Sequence, residues 1–398
     1  MKYTILVADD SKVYFDIIEE AFRQVGDNYK LIWANTGKMA CLLAERHLPD
    51  LILMDVIMPE LNGVQAIKAL KENPLTSDIP VIMLSSSESL QAIYETGAHD
   101  FISKPFNHYE LYMRVRSSLT LINKIKEIKK QKEKLEREHQ KISQQRKEII
   151  DDITYSKRIQ KAILPTTDLV SDIFPEYFIL NIPRNIVSGD FYWVGEKGGK
   201  KIVAVADCTG HGISGAFMTM AGIAYMNDIF NRYSPDDPSE FLFLLREQVM
   251  KLLQQKGIEG EASDGMDVAL CIVDEKNKCF KYAGANNPIY HINKHGLELY
   301  KADRMPIGIH INFSTPFTSR TFPYHSGDML YLFSDGYPDQ FGGPENKKFR
   351  YKQFQELLFS VHRNTMAEQS EILQRTFIQW KGDEEQVDDI LIFGIRLQ

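Results

Sequence analysis

The 398-residue chain has no apolar run long enough to span a bilayer, which argues against a helical membrane protein. A secretory signal is not expected either, because acids stand at positions 9 and 10, where such a signal would still be apolar. Cysteine is scarce and never closely paired. Cys41, Cys208, Cys271 and Cys279 form no C-x-x-C, so neither a zinc knuckle nor a small disulfide framework is expected. Reduced thiols and a cytoplasmic location follow. Positive charge is not in excess: 47 Lys and Arg stand against 54 Asp and Glu, a net −7 that speaks against a nucleic-acid-binding face. The longest omission is internal. From Asn107 to Leu164 there is neither glycine nor proline. What is present, 43% hydrophobic and 25% charged residues, is the composition of a globular chain with room for two or three domains.

Residues 1–120 alternate short apolar runs ("YTILVADD", "LIWA", "LILMDV", "PVIMLSS", "DFISKPF") with helical patterns. This predicts a doubly wound α/β domain with a five-stranded parallel sheet. In the stretch without breakers, Asn107 and Glu110 occupy capping-box positions and Pro165 supplies the stop, so one helix of about 85 Å would fit. Within it, Ile125, Ile128, Lys132, Leu135, His139, Ile142, Arg146, Ile149 and Ile153 alternate by three and four, a heptad seam. One seam position is apolar throughout, and the other is polar at its centre. A coiled-coil linker over 121–164 and a homodimer through it are expected, the alternative being a solvated helix. The ten Lys and Arg against five Glu between 121 and 150 mostly belong to its outer faces. Residues 165–398 change texture. Strand-like runs recur ("YFILNI", "KIVAVAD", "DVALCIVD", "KCFKYAG", "DMLYLFSDG", "DDILIFGIRL"), broken by helical patterns near 215–231 and 239–255. This reads as α+β, a β-sandwich flanked by helices.

In the first domain Asp9, Asp10, Asp55, Ser85 and Lys104 each end an apolar run, and ligands of such sheets bind beyond the carboxyl ends of the strands. Clustered carboxylates repel unless a cation joins them, and oxygen ligands suit Mg²⁺. Asp55 is then a candidate phosphoryl-accepting nucleophile, with Lys104 to neutralise the phosphoryl group and Ser85 to bond one of its oxygens. "VADD", "LILMDVIMPELNG", "MLSS" and "SKPF" resemble the receiver domain of bacterial response regulators over nearly all of 1–120. The resemblance implies phosphorylation of Asp55 by a sensor histidine kinase, and Mg²⁺ on Asp10, Asp55 and the Ile57 carbonyl. It places Asp9 on the metal through water and Phe101 at the aromatic switch position.

In "AVADCTGHGISGAF" the glycines Gly210, Gly212 and Gly215 spell G-x-G-x-x-G. A dinucleotide cradle does not fit, because Asp207 and Cys208 intervene after the strand and Asp207 would repel a pyrophosphate. Asp228 lies in a helical stretch, where no second strand has yet ended. A P-loop does not fit either, since no Lys-Ser/Thr follows. Asp207 instead has companions at strand ends: Asp190, Asp335, and Asp388 with Asp389. Convergent carboxylates without a histidine cluster suggest two hard cations, Mg²⁺ or Mn²⁺, which can activate a bridging water and clamp a phosphate.

"ITYSKRIQKAILP", "SGDFYW", "DCTGHGISGAF", "AGANNP", "MPIG", "FSDG" and "DDI" resemble, in order, the PPM-type serine/threonine phosphatases of the bacterial sporulation stage II and stress-response branch. The resemblance implies a two-metal site on Asp190, Asp207, Asp335, Asp388 and the Cys208 carbonyl, with Asp207 bridging and Asp389 supporting. Asp264 or Asp267 would hold a third metal or cap a strand. Arg184 would touch phosphate or form a surface ion pair, and His211 would be a satisfied turn residue. "SGDFYW" lacks the glutamate of the diguanylate cyclase motif, and that reading is set aside. The whole chain thus reads as a response regulator whose output dephosphorylates a phosphoprotein, by resemblance an anti-sigma-factor antagonist in a partner-switching pathway. The alternatives are a non-catalytic, phosphorylation-gated adaptor dimer and a small-molecule phosphatase.

Overall fold

The computed structural model describes residues 2–26, 28–86, 97–233, 236–256, 264–311 and 313–398. The chain divides into two units, Met1–Ser143 and Gln144–Gln398. In the first, β1 (Tyr3–Ala8), β2 (Tyr29–Ala34), β3 (Leu51–Asp55), β4 (Val81–Ser85) and β5 (Asp100–Ser103) form one parallel sheet in the order β2-β1-β3-β4-β5. Every residue of β3 and β4 is buried, which is why "LILMD" and "VIMLS" show no polar alternation. Phe15, Ile18 and Phe22 of the helix Lys12–Val25 cover one face together with Leu111, Val115 and Leu119. Ala40 and Ala44 of Gly37–His47, with Ala66, Ile67 and Leu70 of Gly63–Glu72, cover the other. The doubly wound reading holds. The helical pattern expected between β4 and β5 lies outside the described residues.

A single helix runs from His108 to Ile163. Asn107 caps it by accepting the Tyr109 N–H at 2.8 Å. The expected capping box is only half made, because the Glu110 carboxylate turns instead to Arg114 at 3.1 Å. All residues from Asn123 to Ile150 are exposed. Among the described residues no helix is long and apolar enough to cross a membrane.

In the second unit, β6 (Tyr177–Ile182), β7 (Phe191–Lys197) and β8 (Lys200–Cys208) lead into helices Ile213–Arg232 and Pro238–Leu252. There follow β9 (Gly265–Asp274), β10 (Cys279–Ala285), β11 (Ile289–Asn293), β12 (Gly296–Tyr300) and β13 (Ile307–Gly308). Next come β14 (Arg320–Pro323), β15 (Met329–Phe333) and the short pair β16 (Phe341–Gly342) and β17 (Lys347–Lys348). Helices Tyr351–Val361 and Met366–Lys381 precede the last strand, β18 (Ile390–Arg396). Two antiparallel sheets result, β14-β10-β9-β8-β7 with β13 on β9, and β12-β11-β15-β18-β6.

The inner faces of the two sheets meet through Val203, Val205, Ala269 and Cys271 against Leu330, Leu332, Leu391 and Phe393. Outside the first sheet, Ile202, Ala204 and Ala206 pack on Met226, Phe241 and Leu245 of the first helix pair. Outside the second, Tyr331, Phe333 and Ile392 pack on Phe354, Leu358, Leu373 and Phe377 of the second pair. The unit is a helix–sheet–sheet–helix sandwich. Strands buried on both faces read as continuous apolar runs, as "IVAVA" and "ILIF" do.

Candidate functional site

The parallel sheet brings its polar strand ends together. Ligand oxygens of Asp9, Asp10 and Asp55 lie within 4.8 Å of one another. Asp9 is fully buried, and its Oδ1 accepts the Ser11 N–H at 3.0 Å. Lys104 Nζ lies 2.6 Å from Asp9 Oδ2 and 2.8 Å from Asp55 Oδ2, and sits over the Tyr14 ring. Burial pushes the Asp55 carboxyl above its ordinary range, with Lys104 working against it. Burial would lower Lys104, but its bonds to Asp55 and Asp9 outweigh this and hold the ammonium charged. Ser85 is buried at the end of β4, with Oγ donating to the Ser86 carbonyl at 2.7 Å. Ile57 is exposed on the loop after β3, and Phe101 is half-buried on β5 against the sheet core. Gly63 packs on that loop so closely that a Cβ would fall 2.0 Å from the Asp55 carbonyl.

The sandwich gathers a second set at one end of its two sheets. In the β8–β9 register Asp207 stands opposite Asp267, and Phe191 opposite Ala206 brings Asp190 level with Asp207. From the other sheet, Asp335 follows β15, and Asp388 and Asp389 precede β18. Ser334 pins these two ends together: its N–H donates to the Leu391 carbonyl at 2.9 Å, and its Oγ accepts the Leu391 N–H at 2.9 Å.

The electrostatics follow from burial and crowding. Burial pushes Asp190 well above the ordinary carboxylate range, with Asp389 and Asp388 adding to it and a bond to Ser334 opposing. Burial does the same to Asp207, and Asp190, Asp335 and Asp388 add to it. Asp335 is pushed up to about 6 by burial, then by Asp339, Asp388 and Asp267. Asp190 Oδ2 is buried and accepts no hydrogen bond. A buried carboxyl oxygen without a donor, crowded by other carboxyls, fits a cation site, because a bound cation would favour the ionised form that burial and repulsion oppose. Among the described residues only Asp9, Asp10 and Asp55 bring three ligand atoms within 4.8 Å, so the second set is wider and spans two sheets.

The neighbouring residues sort differently. Asp389 accepts the Arg184 N–H at 2.7 Å and the Gly189 N–H at 2.6 Å, which ties the loop before β7 to the last strand. Arg184 thus enters through its backbone. His211 Nδ1 pairs with Asn185 Nδ2 at 3.0 Å, a satisfied turn histidine. Asp228 sits in the helix Ile213–Arg232, ion-paired to Arg232. Burial, Asp207 and Asp190 push the Cys208 thiol well up, so it stays protonated. Asp264 is exposed at the start of β9, whereas Asp267 faces Asp207 and accepts from Asn286 at 2.9 Å. Sequence reasoning missed Ser334, Thr219 and Ser188. All three are buried polar residues, and apolar periodicity carries no signal for them.

Known proteins divide the chain in the same way. The family described as Stage II sporulation protein E (SpoIIE) matches residues 197–398, and the response regulator receiver domain matches 5–116. The solved SiaA-PP2C domain of Pseudomonas aeruginosa is 30% identical with a TM-score of 0.58, covering 64% of this chain and 98% of that one. Histidine kinase P4 of Formosa agariphila is 41% identical over 123 residues, 30% of this chain and 9% of that protein. Response regulator PleD of Caulobacter vibrioides is 36% identical over 121 residues, 29% of this chain and 26% of that protein. The chain spans about half or less of the length of the curated relatives it matches.

Proposed function

Because the chain belongs to the stage II sporulation protein E family and carries a receiver domain ahead of that match, we propose that it is a response regulator whose output is a metal-dependent protein serine/threonine phosphatase. Residues 1–120 form the receiver, 121–164 the linker and 165–398 the phosphatase. The observation that carries the reading is the buried, donorless Oδ2 of Asp190 among Asp207, Asp335 and Asp388. Asp190, Asp207, Asp335, Asp388 and the Cys208 carbonyl would hold two Mg²⁺ or Mn²⁺. Such ions, when bound, supply a water of lowered pKa and a clamp for phosphate oxygens. Asp389 keeps the Asp190 loop in place through two backbone N–H groups.

In the receiver, Asp10, Asp55 and the Ile57 carbonyl would hold one Mg²⁺, with Asp9 reaching it through water. An Asp55 oxygen attacks the phosphorus of the kinase phosphohistidine, the P–N bond breaks, and an acyl phosphate forms. Lys104, already 2.8 Å from Asp55, takes a phosphoryl oxygen as its partner. Ser85 Oγ leaves the Ser86 carbonyl for another, and Phe101 follows. The chain acts as a homodimer through 121–164, and its substrate is a phosphoserine or phosphothreonine on an anti-sigma-factor antagonist.

The test is Mn²⁺-dependent hydrolysis of a phosphoserine protein by the full chain, with and without beryllofluoride as a mimic of phosphorylated Asp55. Turnover that changes with the mimic and vanishes in Asp207→Asn is expected. Turnover indifferent to the mimic leaves the enzyme but removes the switch. A folded, metal-supplied chain with no turnover in either state would be the adaptor instead.

A further inference from the structure

The long helix ends in a contact that the chemistry above does not use. After Leu119, Gln160 is the one residue of this helix that is buried, at 7% exposure. Its amide bonds both backbone groups of a single residue. Ser188 N–H donates to Oε1 at 3.1 Å, and Nε2 donates to the Ser188 carbonyl at 2.6 Å. Paired in this way, the side chain fixes the position and orientation of the backbone at 188. Asp190 is two residues on, and its N–H donates to Ser188 Oγ at 3.0 Å.

The loop has little freedom elsewhere. Thr219 Oγ1 donates to the Gly189 carbonyl at 2.8 Å and approaches the Ser188 carbonyl at 3.3 Å. A Cβ on Gly215 would fall 2.4 Å from the Gly210 carbonyl and 2.7 Å from Gly189 Cα. Backbone thus meets backbone on the side of the helix Ile213–Arg232, and the loop cannot yield there. On the other side lies a cavity of about 900 Å³ whose lining includes Lys157, Gln160, Asn181, Ser188 and Asp190. Asn181 Oδ1 faces no hydrogen-bond partner. The helix end has room to shift, and a shift of Gln160 carries Ser188 and Asp190 with it.

We infer that Gln160 is a positioning residue for Asp190: the last turns of the long helix set the place of that carboxylate, and so the cation affinity of the site, through the Gln160–Ser188 pair. The inference rests on the reading of Asp190 as a metal ligand. Residues that orient a ligand from behind typically change metal affinity by about 10–100-fold when replaced. A residue that merely anchored the helix would lower the melting temperature and leave cation affinity where it was.

The test uses the full chain with Gln160→Leu, which removes both bonds, and Gln160→Glu, which keeps the acceptor but sets an oxygen against the Ser188 carbonyl. Mn²⁺ binding at this site, taken as the binding that Asp207→Asn removes, is read by electron paramagnetic resonance without substrate, alongside the Mn²⁺ dependence of phosphoserine-protein turnover. A rise of about tenfold or more in the dissociation constant, with turnover recovered at saturating Mn²⁺, is expected. Unchanged Mn²⁺ affinity in a folded variant overturns the inference. Should Gln160→Leu fail to fold, Gln160→Glu decides. If the wild type binds Mn²⁺ but hydrolyses nothing, the phosphatase reading falls and the binding shift still decides the role of Gln160. A wild type that binds no Mn²⁺ overturns both.

Discussion

Water would keep Asp190, Asp207 and Asp335 ionised at neutral pH, yet burial and mutual repulsion favour their protonated forms. A carboxyl raised in the folded state stabilises the fold fully below its unfolded value and loses that contribution as pH rises through the folded one. With Asp335 pushed up to about 6, the metal-free phosphatase unit should lose melting temperature as pH rises through that value, and Mn²⁺ should restore it more at pH ~7.5 than at pH ~5.5. His291 acts in the opposite sense. Burial lowers its pKa despite Asp328 at 3.1 Å, so the stability it contributes is lost as pH falls below about 6.5. The carboxylate effect is therefore read as the difference between wild type and Asp207→Asn in calorimetry with chelator. The variant should melt a few degrees higher at pH ~7.5, with a flatter pH slope, while turnover falls at least about 100-fold. A variant that melts lower than wild type would contradict the repulsion argument. The acids themselves were legible, because each ends an apolar run beside glycine or another acid. Asp267 was not separable from Asp264, since only the strand register distinguishes the residue facing Asp207 from one at the strand start. Gln160 and Ser334 sit inside stretches that drew attention, but their burial is a tertiary fact with no period.

The elements follow the apolar pattern where that pattern is long. β8, β9 and β18 are buried on both faces and announce themselves as continuous runs, whereas β7 and β11 carry polar residues that blur the alternation. The helices Tyr351–Val361 and Met366–Lys381 each bury only three residues, too few for the sequence to declare them. The glycines after Asp207 show the reverse case, a motif plain in sequence that serves a turn at Gly210 and Gly212, where φ is positive, and packing at Gly215. Gly215 lets the helix Ile213–Arg232 touch the Gly189 loop. Gly215→Ala should therefore cost about 1–3 kcal/mol of stability, read by urea unfolding. Because the displaced backbone leads to Asp190, the variant should also need more Mn²⁺ for half-maximal turnover. Full stability with an unchanged Mn²⁺ requirement would mean that the loop yields more easily than its backbone contacts imply.

For the whole molecule the informative feature is a line of apolar residues in water. Ile128, Leu135, Ile142 and Ile149 are 62%, 67%, 63% and 57% exposed, on a stretch of helix where none of the described residues covers them. Isolated helices draw little stability from propensity, and most of it comes from packing an apolar face. On the dimer proposed above, a second copy packed along the seam would supply that face. Sedimentation of the full chain should show a dimer, and Ile142→Lys should raise its dissociation constant by at least about tenfold. The seam was legible because its heptad spacing runs unbroken by glycine or proline, whereas periodicity says nothing about what the helix does with a signal. Its composition supplies that argument. Lys132, His139 and Arg146 are exposed at alternate seam positions, where polar residues weaken pairing and permit more than one packing. Replacing all three with isoleucine should tighten the dimer, keep basal turnover, and abolish the response to beryllofluoride at Asp55. If the response persisted at full size in that tightened dimer, the signal would not travel by rearrangement of the seam. It would have to pass along the helix as a rigid displacement of its last turns.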